Sequence, residues 1–274
     1  MMNRQPSKPA VRLEVLPPLP QCRDCDTHIT AHNPGVPLRR IPSNAPSDAP
    51  AILFVGQNPG YTEDTHNAAF IGRSGVILCG GWRSDNEHRF DLHPSTPNPP
   101  STFVPGPYVD GARLRDRAHL YVVNAVRCAT PSNSVPPERS LAACSRHLIH
   151  DIHALAARHD RLAIVCLGAV AVRAIYKHIL GWPSKRCTQT EAFTVNGDPQ
   201  PIIAGRPMPV FTTYHPAYIL RNPNALNAVK DHLTLLHTHF LTTAASSIPS
   251  LNIVEPGPPC PPQTQRPNHP NHHA

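Results

Sequence analysis

The sequence predicts an α/β fold: a three-layer sandwich with a central, mostly parallel four-stranded sheet flanked by helices. Three observations predict it. Four short apolar runs, at residues 51–55, 120–126, 162–167 and 209–214, have strand length and little polar alternation, as strands covered on both faces do. Helical patterns lie between and after these runs. Amides and an imidazole collect just beyond the runs, where parallel α/β sheets place their ligands.

The first run, "AILFV", leads into Gly56-Gln57-Asn58-Pro59-Gly60-Tyr61-Thr62-Glu63-Asp64. A strand thus delivers two amides and two acids to its end, with Pro and Gly keeping the loop tight. The second run ends in "VVNAVRC" and carries Asn124 and Cys128 to the same rim. A helix is expected from Pro137, with proline at its first position and Glu138 in its first turn. Its apolar positions Leu141, Cys144, Leu148, Ile152 and Leu155 share one face. The third run, "LAIVCLG", passes directly into a helix from Gly168 to Leu180. The fourth ends in "TTYHPAY", with Tyr214, His215 and Pro216. A last helix is expected from about Asn224 to Phe240, opened by Asn222 and Pro223. Taken singly, Asn124 can cap a turn and His215 can be a satisfied loop histidine. Their convergence with Gln57 and Asn58 on one rim is the stronger signal.

A chain of 274 residues has room for one core of roughly 200 residues plus extras. With 25 basic and 18 acidic residues the net charge is +7. That balance favours a polyanionic partner, and ordinary solubility charge accounts for it equally well. No apolar run reaches roughly 18 residues, so no membrane span is expected. The start, "MMNRQPSKPAVRLEVLPPLP", has no apolar core of a secretory leader. A cytoplasmic monomer is expected, nucleoid-associated if bacterial. The 35 prolines concentrate in residues 1–20, in 94–107 and after about residue 247. The expected division is therefore a proline-rich extension (1–20), a folded domain (21–243) with an insertion or long loop (79–119), and a disordered Pro/His-rich tail (244–274).

Eight cysteines in a reducing compartment read as thiols or metal ligands rather than disulfides. Cys22 and Cys25 form a C-x-x-C pair, Cys128 follows the second strand, and Cys144 lies on the apolar face of the next helix. Four thiolates from separated segments suit an iron–sulfur cluster or an all-cysteine zinc site, and Cys144 equally suits the core. Cys166 reads as core, Cys260 lies in the tail, and Cys79 and Cys187 lack a partner at a telling spacing.

In order and spacing, "GQNPGYTED", "NAAFIGRSG", "VNAVRCATPSNSVPPERSLAAC", "LGAVA" and "TTYHPAYILR" resemble the motifs of the iron–sulfur, family-four type uracil-DNA glycosylases, within the uracil-DNA glycosylase superfamily. The resemblance runs from about Cys22 to about Phe240. It implies a DNA repair enzyme that flips uracil out of single- or double-stranded DNA and hydrolyses its N-glycosidic bond, leaving an abasic site. It implies a [4Fe-4S] cluster on Cys22, Cys25, Cys128 and Cys144. Phe70 would stack on the base, Asn124 would read its edge, and His215 would donate to O2 of the leaving uracil. Gln57 would hold the base, Asn58 would position the water, and Pro59, Gly60, Arg73, Pro216 and Arg221 would meet the DNA backbone. Glu63 and Asp64 would orient the loop or cap the following helix. One of Tyr218, Ile219 and Leu220 would fill the gap left by the base. The matched residues include no amine nucleophile, so the enzyme would be monofunctional.

His93-Pro94-Ser95 copies the last motif more literally than His215-Pro216-Ala217, but no strand precedes it and no "LR" follows it. The sequence also departs from the family. Gln57 stands where Glu is usual, Asn58 where Ala or Gly is usual, and Asn67 and Ala69 replace a Gly and a Pro. Asn cannot take a proton from water at neutral pH, so slower chemistry than with Asp is expected, resting on leaving-group stabilisation. These departures leave two alternatives: a glycosylase for another deaminated base such as hypoxanthine, or a non-catalytic DNA-binding relative.

Overall fold

Every residue from Ala51 to Gly56 is buried, because this strand lies third of five in one sheet. The computed structural model describes residues 22–83, 90–91, 102–182 and 201–242. The 1–20 extension, the 244–274 tail, His93-Pro94-Ser95, Cys187 and Cys260 lie outside the described residues. The sheet runs Arg39–Ile41, His119–Asn124, Ala51–Gly56, Leu162–Leu167, Val210–Thr213. The last four are mutually parallel, and Arg39–Ile41 pairs antiparallel with His119–Asn124. The four apolar runs thus form the parallel part. The fifth strand adds an edge that the pattern could not reveal: it has three residues, of which only Ile41 is buried.

Alternation along the strands divides the core between the two faces of the sheet. Leu53, Val55 and Cys166 face Leu141, Cys144, Leu148 and Ile152 of the helix Glu138–Arg158. Ile52, Phe54 and Val165 face Leu233, Leu236 and Phe240 of the last helical segment, residues 226–241. The registers Gly56↔Asn124, Val55↔Cys166 and Thr213↔Leu167 bring the C-terminal ends of four strands to one rim.

Helix boundaries differ from expectation in small ways with local causes. Pro137 is the N-cap of Glu138–Arg158 rather than its first residue. The helix after Gly168 is α-helical over Ala169–Arg173 and widens to a π-turn over Ala174–Ile179. The last helix opens as a 3-10 turn at Pro223–Ala225, runs as Leu226–Leu236 and ends in a π-turn at His237–Leu241. No helix among the described residues is long and apolar enough to cross a membrane.

The stretch read as a long surface loop contains more structure than its prolines suggest. Gly81–Arg83 pairs antiparallel with Phe90–Asp91 on one side and Thr102–Val104 on the other. Beyond them Tyr108, Val109, Leu114 and Ala118 are fully buried in the second core layer. They lie singly among Pro, Gly, Asp and Arg, so no periodicity announces them. The Tyr108 hydroxyl donates to the carbonyl oxygen of Tyr214 at 2.7 Å, bracing the backbone just before His215. Tyr108→Phe should therefore cost about 1 kcal/mol of stability by leaving that carbonyl without its donor. A urea midpoint lowered at unchanged m-value would show it, and an unchanged midpoint would remove the brace.

Candidate active site and thiol centre

Gly56 ends its strand directly opposite Asn124. A Cβ at Gly56 would lie 2.4 Å from Phe70 Cζ and 2.6 Å from Asn124 Oδ1, so the ring and the amide both pack over the bare Cα. The Phe70 ring centroid is 6.2 Å from that of His215. The structure thus brings Phe70, Asn124 and His215 together, each from a different element. Phe70 and Asn124 are 3 % exposed.

Phe70 holds its position at a backbone cost. Its φ is +56°, a left-handed conformation that side chains other than Gly rarely take. Arg39 clamps it, donating from Nε to the Ala69 oxygen at 2.6 Å and from Nη2 to the Phe70 oxygen at 3.0 Å. Gly75 makes room, since a Cβ there would meet the Phe70 oxygen at 1.9 Å. Arg39 was invisible as a site residue in the sequence, because it lies on the edge strand that the pattern missed.

His215 caps the helix Pro216–Arg221, and its Nδ1 accepts the Ala217 N–H at 3.1 Å. With Nδ1 an acceptor, the neutral ring carries its proton on Nε2 and presents an N–H donor. Burial first, and the Arg221 charge second, push its pKa down to about 4. Gly168 backs the ring: its φ is +82°, and a Cβ there would sit 3.1 Å from His215 Cβ.

The Gln57 and Asn58 side chains have different surroundings. The Gly56 and Gln57 carbonyls accept from Ala125 and Val126, extending the sheet by two residues. The Gln57 side chain is half-buried and free of hydrogen bonds among the described residues. Asn58 is buried, and its Nδ2 donates towards Pro59 O (3.1 Å), Thr130 Oγ1 (3.2 Å) and Asn133 Oδ1 (3.1 Å). Thr130 spends its own O–H on Ser134 O, so it must accept from Asn58, and the amide orientation is set. Asn58 Oδ1 is left buried without a partner among the described residues. Ser132 and Asn133 both have φ of +53°, so the amide holds a strained turn against the loop.

The two acids serve the loop. Glu63 Oε1 accepts the N–H of Gly72, the N-cap of the helix Arg73–Cys79, at 2.9 Å. Asp64 accepts the His32 N–H at 2.8 Å and the Asn33 N–H at 3.0 Å, joining this loop to the segment that carries Cys22 and Cys25. Pro59 and Pro216 are buried, Gly60 is half-buried, and Arg73 and Arg221 are exposed at the same rim. Of the three residues named for the gap, Ile219 is buried, while Tyr218 and Leu220 are 39 % and 37 % exposed.

Cys22, Cys25, Cys128 and Cys144 gather from a loop, a strand end and a helix. The Cys25 and Cys144 thiols are hydrogen-bonded to each other. Cys128 lies close enough to Cys22 and Cys25 to feel both charges. Backbone groups of Asp24, Thr27, Gly35 and Arg127 act to lower the thiol pKa of Cys22, Cys25, Cys128 and Cys144 respectively. Such groups favour thiolates, the form that holds iron–sulfur clusters. The Cys144 bond, with help from Ser140 and Thr27, pulls the Cys25 pKa down to about 5. Burial pushes Cys128 up to about 11, and the Cys25 bond followed by burial pushes Cys144 up. Cys22 Sγ, a carboxylate oxygen of Asp24 and a ring nitrogen of His147 also lie within 4.8 Å of one another, so a metal-binding donor set is present here. Cys79 and Cys166 are buried in the core.

A family model of the uracil DNA glycosylase superfamily matches residues 42–235. The chain is 26 % identical over 202 residues to the type-4 uracil-DNA glycosylase of Thermotoga maritima, covering 74 % of this chain and 79 % of that protein. It is 25 % identical to the type-4 uracil-DNA glycosylase of Archaeoglobus fulgidus, with the same coverage. That of Pyrobaculum aerophilum is 25 % identical over 63 % of this chain and 69 % of the relative.

The depressed His215 pKa has a consequence for stability. The unfolded imidazole takes its proton at about pH 6.5, the folded one only at about 4. Between these values the unfolded chain binds more protons, so stability falls as the pH drops through that window. Urea unfolding at pH 7 and pH 5 should show a smaller acid loss for His215→Gln than for the wild type. An equal loss in both would place the His215 pKa near its ordinary value.

Proposed function

The chain belongs to the uracil DNA glycosylase superfamily, and from that premise we propose that it is a monofunctional uracil-DNA glycosylase of DNA repair, hydrolysing the bond between uracil and deoxyribose in single- or double-stranded DNA. The observation that carries the reading is the gathering of the Phe70 ring, the Asn124 amide and the His215 imidazole at one strand-end rim.

In this reading the flipped base stacks on Phe70. Asn124 pairs with uracil O4 and N3–H, a donor–acceptor pattern that cytosine reverses. His215, held neutral by its surroundings and turned by Ala217, donates Nε2–H to O2 as negative charge develops on the departing base. Gln57 holds the base, and its half-buried side chain is free to do so. The unpartnered Oδ1 of Asn58 accepts a hydrogen bond from the attacking water, orienting it without removing its proton. Chemistry therefore rests mainly on leaving-group stabilisation and is slower than a carboxylate base would allow. Arg73 and Arg221, with the Pro59–Gly60 and Pro216 loops, contact phosphates and position the DNA. Tyr218 or Leu220 enters the gap left by the base; burial removes Ile219 from that role.

Cys22, Cys25, Cys128 and Cys144 fit a [4Fe-4S] cluster, because four free thiols arrive from three segments and neighbouring backbone groups favour the thiolate of each. When bound, the cluster supplies a cross-link between the C-x-x-C loop, the end of the second parallel strand and the helix Glu138–Arg158.

Release of base from oligonucleotides containing U, hypoxanthine, xanthine or T tests the reading. Uracil release is expected, falling on the order of 100-fold or more in His215→Ala. Release from hypoxanthine alone would move the substrate within the superfamily. Salt-sensitive binding with no base release would make the chain a non-catalytic relative. The double variant Arg73→Gln, Arg221→Gln should weaken binding to all sequences and reduce the slope of log K against log salt by about 2. An unchanged slope would take both arginines off the DNA.

A further inference from the structure

Arg127 has the most unusual surroundings of any charged group among the described residues. It is 1 % exposed, the largest fully buried side chain. Among the described residues only Nη2 is paired, with a carboxylate oxygen of Asp151 whose side chain is 24 % exposed, and Nε and Nη1 are buried without a hydrogen-bond partner. A buried guanidinium with two unmatched N–H groups is costly unless an anion lies beside it. Thiols stand beside it: Arg127 directly precedes Cys128 in the chain, and its charge and backbone act on the buried Cys144 thiol. His147, one turn beyond Cys144 on the same helix, also has a buried Nε2 without a hydrogen bond among the described residues, 3.7 Å from an Asp24 carboxylate oxygen.

We propose that Arg127 is the buried counter-cation of the iron–sulfur cluster, setting its reduction potential and protecting it from oxidative loss. The inference rests on the cluster assignment made above. Four cysteinates around an oxidised [4Fe-4S] core make a dianion, and one-electron reduction adds a further negative charge. A fixed positive charge with free N–H donors favours the more negative state, by Coulomb attraction and by hydrogen bonds to sulfur. It therefore raises the potential and makes the loss of an electron to oxygen harder. Asp151 acts in the opposite sense, since it cancels part of the Arg127 charge.

The test uses full-length protein purified without oxygen, with iron content, mediated spectroelectrochemistry and bleaching of the visible absorbance in air as readouts. Arg127→Met should shift the midpoint to more negative potential and bleach on the order of tenfold faster. Asp151→Asn should shift the midpoint to more positive potential, and it decides the matter alone if Arg127→Met does not accumulate as folded protein. Iron-replete variants with the wild-type midpoint and bleaching rate would overturn the role of Arg127 while leaving the cluster standing. Wild-type protein purified without iron would overturn the cluster assignment itself.

Discussion

The site depends on the left-handed backbone of Phe70. That conformation costs on the order of 1 kcal/mol or more, so it persists only where its surroundings over-determine it. Here Arg39 donates to two successive carbonyls, Gly75 vacates the space behind the Phe70 oxygen, and Gly56 lets the ring rest on bare backbone. Restore a Cβ at Gly56 or Gly75, or remove the Arg39 donors, and the ring loses its place beside Asn124 and His215. The strand end, the loop and the edge strand are linked through this one residue.

A second set of constraints joins the pocket to the thiol centre. Asp64 lies in the short helix Tyr61–His66 that follows the Ala51–Gly56 strand and its loop, and its carboxylate accepts from His32 and Asn33, just beyond the C-x-x-C segment. The second parallel strand carries Asn124 and, four residues later, Cys128. The turn after Cys128 returns to the pocket through Thr130 and Asn133, which hold the Asn58 amide. Ordering the thiol centre therefore also orders the loops that shape the pocket, so the proposed cluster would act on the pocket through the fold.

Charge is used differently in the two places. At the pocket, burial keeps His215 neutral so that it donates a hydrogen bond rather than carrying a cation. At the thiol centre, Arg127 is buried although only one of its three nitrogens has a partner among the described residues. Desolvation works against charge in both, and only the second has an anionic group proposed to offset it.

The sequence by itself determined the parallel α/β sheet, because strand length and apolar runs are local properties. It also placed Asn124, His215 and Gln57-Asn58 at strand ends, since the polar residues follow the apolar runs directly. Tertiary structure alone decided what those side chains do. The edge strand Arg39–Ile41 was too short to show a pattern, so the Arg39 clamp appeared only when the strand paired. Tyr108, isolated among prolines, gained its role from a carbonyl 106 residues away. The orientation of Asn58 follows from Thr130 and Ser134, which no spacing rule connects to it. Composition and periodicity report which face of an element is buried, whereas hydrogen-bond partners and backbone strain are set by residues that meet only on folding.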